Sequence, residues 1–431
     1  MKLTIKSIDI NGNGIAYYKK KVVFVKGALP GEIVDVDLEI EKENYYQASI
    51  KSIIKKSNSR VKPKCDIYSK CGGCSLMHLV YGEQLKYKSD RVKEAFSKYA
   101  SISPKVNKTI GMELPYNYRN KVQLVVKKLK NKVVLGLYEE GSHFVTEMDN
   151  CLIQDKAINN SLVEIKNLLN NIKLDISSKG LHKIMIRTNK ENEQQITLIT
   201  GKKMKLDYLV NRLSELKNVT GIFSIINNKK SGNLYDCKSI KLFGKSRLIK
   251  KISSKSYYVR PLDFFQLNDI QTEKLYNYIK KLAGDSKRIV DCYAGVGSIG
   301  QYVYSGQDLR GIEIVESAVE SAKDNCKLNK IDAEYVVGSV GQVLKRWAKS
   351  GYRPDLMIFD PPRIGLDKDS INTILKVKPK SVIYVSCNPS TLAKDINLLK
   401  QKYKIESVQP FDMFPQTSHV ETVVRLQRQN P

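Results

Sequence analysis

The chain is short of acid. Against 73 Lys and Arg it carries only 44 Asp and Glu, a formal net charge of +29 over 431 residues. A surplus of that size points to a polyanionic partner, most often nucleic acid. No apolar run approaches the ~18 residues of a membrane span, and Met1-Lys2-Leu3-Thr4-Ile5-Lys6 lacks the apolar core of an export signal. Cysteine is scarce as well: eight residues are too few for a disulfide scaffold. These absences lead to the expectation of a cytoplasmic protein in a reducing compartment, without a membrane partner. There, clustered cysteines suggest metal and an isolated one suggests catalysis. There is no internal repeat and no low-complexity tract. What is present is ordinary for a globular protein. Hydrophobic residues make up 42%, enough for cores in two or three domains.

Three regions separate by pattern. Residues 1–57 read as a small β-barrel. Lys21–Val25 is one strand candidate, Val34–Ile40 alternates with the period of a half-buried strand, and Gly12-Asn13-Gly14 and Gly27–Gly31 supply turns. Small barrels of this kind often bind RNA. Lys51, Lys55, Lys56, Arg60, Lys62 and Lys64 follow without an intervening acid, as expected of a phosphate-contacting segment. Residues 58–255 read as an α+β region. It opens with a cysteine cluster and a helix whose apolar face is Tyr81, Leu85, Val92, Ala95, Phe96 and Tyr99. Strands are expected at Lys121–Val126 and Gln195–Thr200. From residue 256 to 431 short apolar strands alternate with helices: Arg288–Cys292, Leu309–Ile314, Leu356–Phe359 and Val382–Val385. That pattern predicts a doubly wound α/β (Rossmann-like) domain.

Within it, Asp291-Cys292-Tyr293-Ala294-Gly295-Val296-Gly297-Ser298-Ile299-Gly300 runs from strand through a tight turn into a helix. Glu313 closes the next strand, where an acid accepts ribose hydroxyls. The Gly-x-Gly-x-x-Gly spacing also fits a dinucleotide such as NAD. Asp291, placed for an amino-acid ammonium, and Asp360-Pro361-Pro362-Arg363, suited to a flat base, favour S-adenosylmethionine.

Cys387 falls at the carboxyl end of the apolar run Ser381–Ser386, just ahead of a helix start at Pro389. That is where open α/β sheets bind ligands, and a helix N-terminus favours a thiolate. A thiolate next to a methyl donor in a basic protein suggests pyrimidine C5 methylation. Addition of sulfur to C6 makes C5 nucleophilic, and a general base must then remove the C5 proton. Ser418-His419-Val420-Glu421 offers two such bases: His419 by its ordinary pKa, Glu421 if burial raises its own. The second cysteine group, Cys65, Cys71 and Cys74, suits zinc or an iron–sulfur site. His78 as fourth ligand would favour zinc. Cys237, Cys292 and Cys326 read as core residues.

Cys65-x5-Cys71-Gly72-Gly73-Cys74, Tyr118-Arg119-Asn120-Lys121, Phe264-Phe265-Gln266, Asp360-Pro361-Pro362-Arg363, Ser386-Cys387-Asn388-Pro389 and His419-Val420-Glu421-Thr422 occur in that order. Together they resemble the 23S ribosomal RNA (uracil-5-)-methyltransferases that carry an N-terminal TRAM domain and an iron–sulfur cluster. The resemblance covers essentially the whole chain. It implies a TRAM, OB-like barrel at 1–57, an iron–sulfur domain at 58–255 and an S-adenosylmethionine-dependent methyltransferase domain at 256–431. It implies Cys387 as nucleophile and Glu421, rather than His419, as base. It places donor contacts at Gln266, Tyr293, Glu313 and Asp360, and a [4Fe–4S] cluster on Cys65, Cys71, Cys74 and Cys151. Arg363 is implied as an RNA or active-site contact. The expected partner is 23S ribosomal RNA, with no DNA, and the protein is expected to act as a monomer. A sister group modifies transfer RNA. That reading, and a non-catalytic iron–sulfur RNA-binding protein, stand as alternatives.

Overall fold

The computed structural model describes residues 1–229, 234 and 237–429. Its first six strands are Lys2–Thr4, Ser7–Ile8, Gly14–Tyr18, Lys21–Val25, Ile33–Glu41 and Tyr45–Lys55, and they form one sheet in the order first, fifth, sixth, fourth, third, second. The two edge strands are therefore neighbours in the chain, joined by Ile5 and Lys6, and the sheet curls back on itself. Alternating residues of these strands, among them Leu3, Ala16, Val23, Val25, Val34 and Val36, fill the interior.

The second sheet has seven strands in the order Ser239–Gly244, Val219–Ile226, Gln194–Thr200, Leu181–Thr188, Lys121–Leu129, Lys132–Tyr138, Val145–Glu147. Helices Lys156–Asn170 and Asp207–Ser214 bury Ile158, Leu162, Ile165, Leu209 and Leu213 against it.

The third sheet runs Ala333–Val337, Asp308–Glu313, Arg288–Cys292, Leu356–Phe359, Ser381–Ser386, Glu421–Arg428, Tyr403–Phe411. Its first five strands are parallel; Glu421–Arg428 runs back against them, and the edge strand Tyr403–Phe411, antiparallel to Glu421–Arg428, runs with the first five. Strand order reverses between Arg288–Cys292 and Leu356–Phe359. The crevice at their carboxyl ends is where such sheets bind ligands. Two apolar cores, one on each face, explain why these strands read as continuous hydrophobic runs.

Helix Tyr81–Ala100, which pattern assigns to the central region, and a hairpin that straddles the expected boundary at 255/256 pack with this third sheet. Helix Tyr81–Ala100 buries Val92, Ala95, Phe96 and Ala100 in the core that also contains Leu392, Ala393 and Ile396 of helix Pro389–Leu399. The hairpin Leu248–Ile252 and Lys255–Val259 buries Ile252, Tyr257 and Val259 with Leu275 and Tyr276 of helix Asp269–Ala283. Among the described residues, no helix is long and apolar enough to cross a membrane.

Helix Tyr81–Ala100 carries one cation on its apolar face. Lys88 is fully buried and ion-paired with Asp412, which is fully buried too. Tyr81 Oη donates to the other Asp412 oxygen at 2.7 Å, and Lys88 Nζ donates to the Phe414 carbonyl at 3.1 Å. Burial still pulls the Lys88 pKa down, with Asp412 opposing. Removing one partner strands the other charge. Asp412→Ala is therefore expected to cost roughly 3–5 kcal/mol, whereas the double replacement Lys88→Met/Asp412→Leu costs far less. Urea unfolding of the two variants measures the difference.

Candidate active site

Ser381–Ser386 is buried along its whole length. Its last residue pairs antiparallel with Thr422, so Cys387, the next residue along, and Glu421, the first residue of Glu421–Arg428, lie at the same end of the two paired strands. The Asn388 side chain caps helix Pro389–Leu399 by accepting the Ser390 N–H at 3.1 Å. Its amide donates to the Arg363 carbonyl at 3.1 Å, and the Thr391 hydroxyl donates to the same carbonyl at 3.2 Å. The Asp360–Arg363 turn is thus tied to the helix start beside Cys387, and that helix end favours a thiolate.

The site sets one cation against three acids. Burial pushes the half-buried Cys387 thiol up to about 11; Glu421 and Asp360 push the same way, and Arg363 opposes them. Glu421 is only 4% exposed. Burial, reinforced by Asp360, holds it well above the usual carboxylate range, with Arg363 pulling down. Asp360 is raised by burial as well. Asp360 and Glu421 thus each oppose ionisation of the other, and both oppose ionisation of the thiol. His419 behaves differently. It is exposed at the mouth of the site, with its two ring nitrogens 3.3 and 3.4 Å from Arg363 Nη2. Crowding of its ring, then the Arg363 charge, push its pKa down to about 4. Such an imidazole is neutral and weakly basic, which favours Glu421 over His419 as proton acceptor.

The glycine turn is built as its sequence demands. Gly300 N–H donates to an Asp291 carboxylate oxygen at 2.9 Å, and a Cβ on Gly300 would sit 2.7 Å from that oxygen. Asp291, read from sequence as an ammonium contact, spends one oxygen fixing the turn, and burial pushes its pKa up to about 7. Gly297 has φ +78°, and a Cβ there would meet the Gln301 amide at 2.5 Å. Glu313 accepts the N–H groups of Gly295 and Val315, each at 2.9 Å. A carboxylate has about four acceptor sites, so capacity remains for hydroxyls. Tyr293, at φ +60°, directs its hydroxyl to Ser370 Oγ at 3.3 Å and Asp367 at 3.4 Å. Gln266 is buried, and its carbonyl accepts from the Asn120 amide at 3.3 Å, which joins the Tyr118–Lys121 motif to Phe264–Gln266. Tyr293, Glu313 and Asp360 thus stand at the carboxyl ends of three neighbouring strands of the third sheet.

A second site lies beside it. Cys65, Cys71, Cys74 and Cys151 line one cavity of about 310 Å³ together with Ile67, Met77 and Arg119. Burial raises the Cys74 thiol first, and the charges of Cys151, Cys71 and Cys65 raise it further, so the four sulfurs feel one another. His78 is not in that lining; its Nδ1 faces Tyr68 Oη at 2.5 Å. Among the described residues, no group of three or more His, Cys, Asp or Glu able to hold a metal ion is formed. The cavity is apolar and thiol-rich, which suits a sulfide cluster larger than a single ion. Cys292 and Cys326 are buried and Cys237 is half-buried.

Arg60 is a correction to the basic segment. It is not free for phosphate, because its Nε and Nη2 bind the fully buried Glu32 at 2.5 and 2.8 Å, and Nη2 donates to the Gly27 carbonyl at 2.6 Å. Lys51, Lys55, Lys56 and Lys62 remain exposed. Sequence reasoning missed Lys88, Asp412 and Gln416. Lys88 had a visible signal, since it interrupts the apolar face between Leu85 and Val92; Gln416 had none.

A family profile described as tRNA (Uracil-5-)-methyltransferase matches residues 80–429, and a TRAM domain profile matches residues 1–51. The chain is 40% identical to an RNA methyltransferase of Bacillus cereus over 441 aligned positions, 99% of this chain and 96% of the relative. It is also 40% identical to an RNA methyltransferase of Listeria innocua, covering 99% and 97%. Among solved structures, the Pyrococcus abyssi tRNA (uracil-54, C5)-methyltransferase in complex with S-adenosyl-L-homocysteine superposes with a TM-score of 0.79, at 25% identity, over 99% of this chain and 100% of that one. The chain belongs to the RNA (uracil-5-)-methyltransferase family and is an RNA methyltransferase with an N-terminal TRAM domain.

Proposed function

We propose that the protein methylates C5 of uridine in 23S ribosomal RNA through a covalent Cys387–C6 adduct, with Glu421 as base. The observation that carries this is the placement of Cys387 and a buried Glu421 at the same end of two paired strands, close enough for the Glu421 charge to act on the thiol. Gln266, Tyr293, Glu313 and Asp360 would hold S-adenosylmethionine in the crevice, which when bound supplies an electrophilic methyl group to C5. The chain's own residues do the rest. Cys387 adds to C6 and raises electron density at C5. Glu421 takes the C5 proton, and the electron pair re-forms the C5–C6 double bond as sulfur departs. Arg363 stabilises the thiolate at both ends of the cycle.

A [4Fe–4S] cluster on Cys65, Cys71, Cys74 and Cys151 would cross-link this part of the chain, since no step above moves an electron. Residues 1–57 would act as the RNA-binding barrel. A groove of about 640 Å³ supports that role: Asn11, Gly12 and Lys26 of the barrel face Gly73, Ser75 and His419 across it. Ribosomal RNA is favoured by the barrel and the cysteine cavity together. Transfer RNA is the second reading, favoured by the activity named for the Pyrococcus enzyme.

RNA carrying 5-fluorouridine is the direct test, because fluorine cannot leave C5 as a proton. The wild-type protein is expected to form a denaturant-stable, methylated adduct, and Cys387→Ala none; methylation by Cys387→Ala would refute the mechanism. The thiol pKa near 11 sets the pH response. Alkylation of Cys387 by iodoacetamide should rise about tenfold per unit from about pH 7 to about pH 10, because the thiolate reacts. Arg363→Gln should slow it at each of these pH values. Mapping 5-methyluridine in both RNA classes, with and without the protein, decides the substrate: a site lost from 23S RNA alone is expected.

A further inference from the structure

Residues 412–420 link Tyr403–Phe411 to Glu421–Arg428 without helix or strand. This segment delivers Glu421 to the site, and it is held mainly from outside. Gln416 is 2% exposed and sits at φ +71°, an unfavourable conformation for a residue with a Cβ. Such a conformation persists only where neighbours over-determine it. Here they do. The Gln416 carbonyl accepts the N–H groups of Ser75 at 3.1 Å and Leu76 at 2.9 Å. Its own N–H donates to Gln84 Oε1 at 3.1 Å, and the Gln84 amide returns a bond to Gln416 Oε1 at 3.1 Å. Two residues on, Ser418 N–H donates to Ser75 Oγ at 2.9 Å, and Arg91 Nη1 donates to the Ser418 carbonyl at 2.5 Å.

Ser75 directly follows Cys74 of the four-cysteine cavity. The nucleophile has a separate anchor in Ser381–Ser386 and the cap of Pro389–Leu399, and the glycine turn has a third. Loosening Gln416 therefore acts on one member of the catalytic pair and leaves the other in place.

We infer that the cysteine-bearing loop is the strut of the catalytic base: Ser75, Gln84 and Gln416 are positioning residues that hold Glu421 in line with the C5 proton. This rests on the assignment of Glu421 as base. It gives the four-cysteine site a mechanical task, which is to fix the loop from which Ser75 and Leu76 grip Gln416. The affected step is the last one. Glu421 takes the proton from C5, the C–H electron pair becomes the C5–C6 π bond, and the C6–S pair leaves with Cys387 as thiolate. A displaced Glu421 stalls the cycle after methyl transfer, so methylated RNA stays bonded to the protein.

The experiment uses ordinary uridine RNA and methyl-labelled S-adenosylmethionine with the full chain as purified, and compares Ser75→Ala, Gln84→Ala and Glu421→Gln. Three quantities are read: turnover, denaturant-stable methylated adduct, and hydrogen exchange across 412–420. Ser75→Ala is expected to lower turnover about tenfold to a hundredfold, to accumulate methylated adduct as Glu421→Gln does, and to speed exchange in 412–420. Its iron content and its rate of adduct formation should match wild type. Gln84→Ala, which does not line the cysteine cavity, should give the same pattern if Ser75→Ala disturbs that cavity. Unchanged turnover, or a loss of turnover without adduct in both variants, would overturn the inference. If Glu421→Gln itself accumulates no adduct, the base assignment fails, and the strut inference falls with it for that separate reason.

Discussion

The antiparallel pairing of Ser381–Ser386 with Glu421–Arg428 is the constraint on which the site depends. A parallel sheet alone would present only strand ends that all point the same way. By adding one strand that runs back, the fold brings the carboxyl group that begins one strand to the same end of the sheet as the thiol that follows its neighbour. Because backbone pairing runs up to Ser386 and Thr422, each group is only one residue from a paired position. A slip of one residue would turn Glu421 to the opposite face.

Burial then gives the pair its chemistry. In water a thiol and a carboxyl group would differ in pKa by about four units. Here both move upward, the carboxyl group by desolvation and by Asp360, the thiol by desolvation and by both carboxylates, with Arg363 as the opposing charge. Like charges so close oppose one another, and Arg363 is the one named charge that counters them. His419, which has the more convenient ordinary pKa, is held neutral by its surroundings.

Much of this was legible in the sequence, and the limits were physical. The glycine turn, the apolar strands and Cys387 at a strand end follow from local pattern, because burial on both faces and a tight turn leave local marks. The face of helix Tyr81–Ala100 was legible, but its partner was not: amphipathicity says that a face is covered and does not say by what. Cys65, Cys71 and Cys74 announce themselves by spacing, whereas Cys151 lies beyond the barrel–helix junction and came only from the resemblance. Arg60 looked like its lysine neighbours until Glu32 was found beneath it. Gln416 had no signal at all, since a buried glutamine with positive φ is defined by what surrounds it.

The bonds that close the site join segments far apart in the chain: Ser75 with Ser418, Gln84 with Gln416, Lys88 with Asp412. During synthesis these partners emerge from the ribosome at widely separated times. The cysteine loop and its helix must wait, with a buried-type lysine and two unsatisfied amides, until the final two strands are made. The bonds that hold the segment ahead of Glu421 can therefore close only after residues 412–418 have left the exit tunnel.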